Sequence, residues 1–294
     1  MVAGLNEGRS TRGLTMRRTR VAALLVCLLP MVSMAARQES RSEDAPTADP
    51  LGTRGTVTIH ARYTIWTVEV PIPGNPRLMQ GSAIGGSMST DLYGRRLGFD
   101  LGYRVLSTNA VQADGRALTE NSSYTAFEVQ PDFNYVFLNT TPVFLSAGIG
   151  ANARVNVMNL EESFARSLGS WTTIAAGPNV RARFFLGPNF YATGSVFVGL
   201  LKVAGLWTAA GINATTVPPQ AFYENGGLEG MFIINGSASF AWRPFEWFAV
   251  SAGFGYRKSN FTVVTEPDSN GNTREIGPGT ENDIQPFAGV EFLY

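Results

Sequence analysis

The chain contains one histidine, His60, set two residues from Thr58 and from Arg62, so an extended backbone places all three on one face. Histidine is the usual general base of hydrolases and acyltransferases, and an enzymatic reading of the chain would rest on His60, with Glu128 or Ser146 as unsupported guesses for its partner. The plainer alternative is a histidine held in an interior hydrogen-bonded network. The only cysteine, Cys27, lies in an apolar stretch near the amino terminus, so His and Cys cannot supply a transition-metal site. Asp268, Glu281 and Asp283 are the acids nearest to a calcium cluster, but their spacing is not that of an EF-hand. The run Gly148-Ile149-Gly150-Ala151-Asn152-Ala153 mimics a dinucleotide fingerprint, yet no helical period follows it. No catalytic, cofactor or metal site is therefore expected.

What the chain does offer is a set of charges at alternate positions: His60, Arg62, Glu128, Asp132, Arg154, Arg181, Arg183, Glu229, Arg243 and Arg257. The elements that carry them have a period of two. Val57, Ile59, Ala61, Tyr63 and Ile65 oppose Thr58, His60, Arg62 and Thr64. Phe127, Val129, Pro131, Phe133 and Tyr135 oppose Glu128, Gln130, Asp132 and Asn134. The same alternation runs through 143–157, 174–186, 228–242 and 248–256. Each predicts a strand with one apolar and one polar face.

Strands of this length exceed the usual 5 to 6 residues of soluble sheets. Their polar faces are rich in Gly, Ser, Asn and Thr rather than the Lys and Glu of a soluble surface. Their apolar faces carry no charge in those six segments, as lipid contact requires, since an Arg or Lys at the bilayer midplane costs roughly 2–4 kcal/mol. Tight turns at 138–142, 187–189 and 244–246 alternate with longer polar stretches at 107–122, 159–170, 203–226 and 262–281. Leu160, Phe164 and Leu168 predict a short helix over 159–168. The expectation is an all-β chain forming a transmembrane antiparallel up-and-down barrel. Nine strands are clear, 55–66, 96–107, 123–137, 143–158, 171–186, 190–202, 227–243, 247–261 and 283–294. Keeping both termini on one side requires a tenth, for which 78–88 is the candidate; eight and twelve strands are the alternatives.

The amino terminus fits export. A basic stretch at 16–20, an apolar run at 21–32 and Ala35-Ala36 read as a signal peptide over 1–35, followed by a flexible periplasmic lead-in over 36–53 and the barrel over 54–294. The whole chain carries 23 basic and 23 acidic residues. Removing the leader leaves 18 basic and 22 acidic residues, a net charge of −4. Neither balance suits nucleic-acid binding. The carboxy terminus ends Pro286, Ala288, Val290, Phe292, Tyr294 at every second position, resembling the terminal strand that the barrel assembly machinery recognises in bacterial outer-membrane proteins. Bacterial outer-membrane lipid and that machinery are the expected partners.

The run Gly177-Pro178-Asn179-Val180-Arg181-Ala182-Arg183, then Gly187-Pro188-Asn189-Phe190-Tyr191-Ala192-Thr193-Gly194, then Leu200-Leu201 resembles a strand, turn and strand of the Legionella-type major outer membrane protein family. That resemblance covers about 30 residues and implies a pore-forming barrel. The chain departs from the family in its small size and in lacking cysteine after the leader. The expected function is porin-like passage, with a closed barrel as the alternative. In a water-filled barrel the lumen arginines favour passive passage of ions or small polar solutes, anions above all. In a barrel of few strands the same charges pair and fill the interior, leaving a closed structural or surface-exposed barrel whose loops bind other molecules.

Overall fold

The computed structural model describes residues 55–70, 77–94, 96–117, 122–140, 142–159, 171–213, 233–266 and 275–294. The leader, the lead-in, the helix expected over 159–168 and Glu229 lie outside these residues. Thirteen strands follow in chain order: β1 (Thr56–Val70), β2 (Arg77–Tyr93), β3 (Leu97–Thr108), β4 (Val111–Ala113), β5 (Arg116–Ala117), β6 (Ser123–Asn139), β7 (Val143–Asn159), β8 (Trp171–Gly187), β9 (Phe190–Gly199), β10 (Leu201–Asn213), β11 (Ile233–Phe245), β12 (Phe248–Glu266) and β13 (Glu275–Leu293).

They form a closed antiparallel barrel of ten strands. Closure comes from β1, which pairs with β2 on one side (Thr58↔Ser89) and with β13 on the other (Thr58↔Glu291). The tenth strand is β2, around the sequence candidate 78–88. β4 and β5 form a small hairpin beside β2, inside the expected loop 107–122. β10 resumes β9 after a break at Leu200, antiparallel to β8 and parallel to β12, which runs in its direction.

Two expected loops are strand wherever they are described. Within 203–226, β10 continues to Asn213, and within 262–281, β12 reaches Glu266 while β13 begins at Glu275. The segment 275–283 reads as a loop because Gly277, Pro278 and Gly279 are turn residues. Here they take part in ladder pairing instead, as Thr262↔Pro278 and Phe261↔Gly279.

The two faces follow the alternation. On β1, Ile59, Tyr63 and Ile65 point outward and are about half exposed, while Thr64 and Trp66 are fully buried. Outward aromatics gather around the short turns: Phe133, Tyr135, Phe137, Phe184, Phe190, Phe240, Trp242, Phe245 and Trp247. An apolar band with an aromatic ring at one end is the surface a bilayer interface favours, because amphipathic rings partition to headgroup level. Where strands approach most closely, glycine is required: a Cβ on Gly148 would sit 1.8 Å from the carbonyl oxygen of Phe133, and one on Gly289 would sit 1.9 Å from that of Ile59.

Inside, apolar side chains cluster at both ends. Away from the short turns, Trp66, Val68, Val70, Met79, Tyr124, Trp171, Phe261 and Val263 pack together. Tyr124 packs against Trp66 at 4.4 Å and Trp171 at 5.9 Å between ring centroids. At the turn end a smaller cluster holds Tyr191, Ala241, Ala249 and Leu293.

Candidate functional site in the barrel interior

Between these clusters the interior is polar, and it divides into two regions. The first is a belt of ion pairs drawn from β6, β7, β12 and β13. Arg154 pairs with Glu281 at 2.8 Å, with Asp283, and with Glu128 at 3.6 Å. Arg257 pairs with Glu281 at 2.9 Å and with Glu128 at 3.7 Å. Arg154, Arg257, Glu281 and Asp283 are all fully buried. Neutral groups take up part of the remaining capacity. Arg154 Nη2 donates to the Tyr124 hydroxyl at 2.8 Å, Arg257 Nη2 donates to Thr173 at 3.0 Å, and Ser259 donates to Glu281 at 3.0 Å. Asn152 and Asn235 both donate to Glu128 Oε1, at 2.7 and 3.1 Å. Charges removed from water are tolerable only when paired and hydrogen-bonded in this way.

The second region is a cavity of about 180 Å³ between the belt and the turn end. Its wall includes His60, Arg62, Arg104, Arg181, Arg183, Asp91, Asp100, Asp132 and Glu291, with hydroxyls from Thr58, Ser89, Thr193, Ser195, Ser237 and Ser239. On one side Arg181 pairs with Asp100 at 2.8 Å and with Asp91, while Tyr93 and Asn134 donate to Asp100, the latter at 2.6 Å. Arg104 pairs with Glu128 at 3.2 Å. On the other side Arg62 donates to Ser87 at 2.6 Å and to Gln285 at 3.2 Å, and lies over the Phe287 ring. Among the described residues Arg183 reaches Thr193, at 3.4 Å, and the face of Tyr191. The Tyr191 hydroxyl donates to Glu291 at 2.5 Å.

The residues anticipated from sequence therefore separate. Arg154, Arg257 and Glu128 meet in the belt, whereas His60, Arg62, Asp132, Arg181 and Arg183 line the cavity, which Glu128 also touches. Arg243 does not join them: it sits at the turn rim and donates to the Pro188 carbonyl at 2.9 Å in an exposed contact. His60 Nε2 lies 2.8 Å from Ser251 Oγ, so its partner is neither Glu128 nor Ser146. Ser251 is 1% exposed and forms no part of the cavity wall, whereas His60 does. Glu281 and Asp283 are lumen ion-pair partners rather than loop acids free for calcium. Sequence reasoning missed these two, together with Asp91, Asp100, Arg104 and Glu291. Their signal was present: Glu281, Asp283 and Gln285 alternate with Thr280, Asn282 and Ile284.

This architecture has counterparts among solved structures. The outer membrane protease OmpT from Escherichia coli matches with a TM-score of 0.52 at 12% identity, over 85% of this chain and 99% of that one. This chain has the fold of the bacterial outer-membrane β-barrels. The barrel also aligns, with lower TM-scores, to the outer membrane protein OprG from Pseudomonas aeruginosa (0.39, 8% identity, 84% and 99% of the two chains) and to Neisserial surface protein A (0.33, 9% identity, 80% and 96%). At these identities the likeness is one of fold. No protein-family model matches the barrel, and no curated protein does.

Proposed function

We propose that the protein is a closed, non-enzymatic barrel of the bacterial outer membrane that presents its loop end to other molecules. One observation carries this reading: the ion-paired belt and the aromatic layer above it, Trp66, Tyr124, Trp171 and Phe261, cross the interior with every one of these four rings buried to 0 or 1% exposure. At this level five charge-assisted contacts, of Arg154 with Glu128, Glu281 and Asp283 and of Arg257 with Glu128 and Glu281, stand against a water-filled path. A signal peptide over 1–35 and the terminal residues Phe292 and Tyr294 are the features that support export and assembly.

Porin-like passage is the second reading. The polar cavity and the resemblance of 177–201 to the Legionella-type family favour it. Planar-bilayer recording of the purified protein separates the two. The closed barrel gives no stable single-channel steps; regular steps with ion selectivity would replace it with the porin reading.

A further inference from the structure

Six arginines among the described residues face the interior, and their partners divide them. Arg104, Arg154, Arg181 and Arg257 each meet a carboxylate within 4 Å. Arg62 and Arg183 meet none among the described residues, although they keep only 8% and 7% of their surface exposed. A buried guanidinium normally has an anionic or fully hydrogen-bonding partner, because its desolvation is otherwise uncompensated. Both side chains face the same cavity, and Thr193, Ser237 and Ser239 add hydroxyl donors to its wall.

We propose that Arg62 and Arg183 form a binding site for a small free oxyanion, of the size of inorganic phosphate or sulfate, in the turn-end cavity. The guanidinium fork suits a tetrahedral or planar oxyanion, and hydroxyls complete its coordination. The volume of about 180 Å³ admits such an ion with several waters. Five carboxylates line the same cavity. Asp91 and Asp100 are paired with Arg181 and Glu128 with Arg104, whereas Glu291, which the Tyr191 hydroxyl engages, and Asp132, which accepts from Gln130 at 2.9 Å, pair with no arginine among the described residues and oppose the anion. The site does not depend on whether the barrel is closed, so conductance and anion binding are separate tests.

The test is calorimetric titration of the folded barrel, in phosphate-free detergent at low ionic strength, with inorganic phosphate. Saturable binding is expected, weakened at least tenfold by Arg62→Gln and by Arg183→Gln, tightened by Glu291→Gln, and unchanged by Arg243→Gln at the rim. Absence of saturable binding to the wild type, or wild-type affinity in both cavity-arginine variants, overturns the proposal. Affinity for a short-chain phospholipid with none for inorganic phosphate overturns it as well, by assigning the site to a headgroup. Should a variant fail to fold, wild-type crystals soaked in selenate decide: an anomalous peak between Arg62 and Arg183 supports the site, and its absence there overturns it.

Discussion

Arg154 and Arg183 point into the same lumen from neighbouring strands, yet they occupy opposite chemical situations. Arg154 is fully buried and bound to three carboxylates and a tyrosine, whereas Arg183 has one long contact to a threonine hydroxyl and the face of a ring. The difference lies in what the neighbouring strands supply at each level. Opposite Arg154, β6 and β13 bring Glu128, Glu281 and Asp283, while the level of Arg183 is filled by Thr193, Ser239 and Tyr191. The same residue type on one inward face is thus held by carboxylates at one height and faces a cavity at another.

The contrast is broken most severely by removing a belt cation. Arg154→Met strands Glu281 and Asp283 without their shared partner, and should lower unfolding free energy in urea by about 3–5 kcal/mol. A charge on the outside checks that both arginines owe their behaviour to facing inward. Ile149→Arg, on the lipid side of the same strand as Arg154, should cost about 2–4 kcal/mol in the same assay. A double-mutant cycle sharpens the comparison further. Arg154→Met and Asp283→Leu should couple by about 0.5–3 kcal/mol, whereas Arg154→Met and Arg183→Gln should add. The smallest effect is expected in the cavity itself. Arg183→Gln forfeits a cation–π contact and no ion pair, so its cost should stay near about 0.5–1 kcal/mol. A loss as large as that of Arg154→Met would erase the distinction between the two regions.

Much of the barrel was legible because period-two alternation states which face is which, whatever the partner strand. Residues 123–137, 143–158 and 171–186 lie within strands that extend only one or two residues further at one end. The outward placement of Phe240 and Trp242, against buried Asn235, followed from the same rule. Alternation says nothing about register around the ring, however, and the belt is a product of register. Glu128 meets Arg154 directly across β6 and β7, but Arg154 meets Asp283 only because the closed sheet brings β7 to face β13. Glu281 and Asp283 were further hidden by the Gly and Pro residues of 277–279, which speak for a turn when neighbouring pairing is unknown. His60 was rightly placed inward, while Ser251, 191 positions away, had no local signal to mark it as the partner.

The central claim is that the lumen is dry at the belt and wet in the cavity, and thiol accessibility tests it directly. Cys27 is the chain's one cysteine, so with Cys27→Ser a single reporter can be placed at either level. Ser239 lines the cavity, and Ser259 is fully buried in the belt. In the folded barrel, Ser239→Cys should react with a small water-soluble thiol reagent while Ser259→Cys stays unmodified until the protein is unfolded. Labelling of Ser259→Cys at the rate of Ser239→Cys would contradict the account and mean that water runs through the barrel.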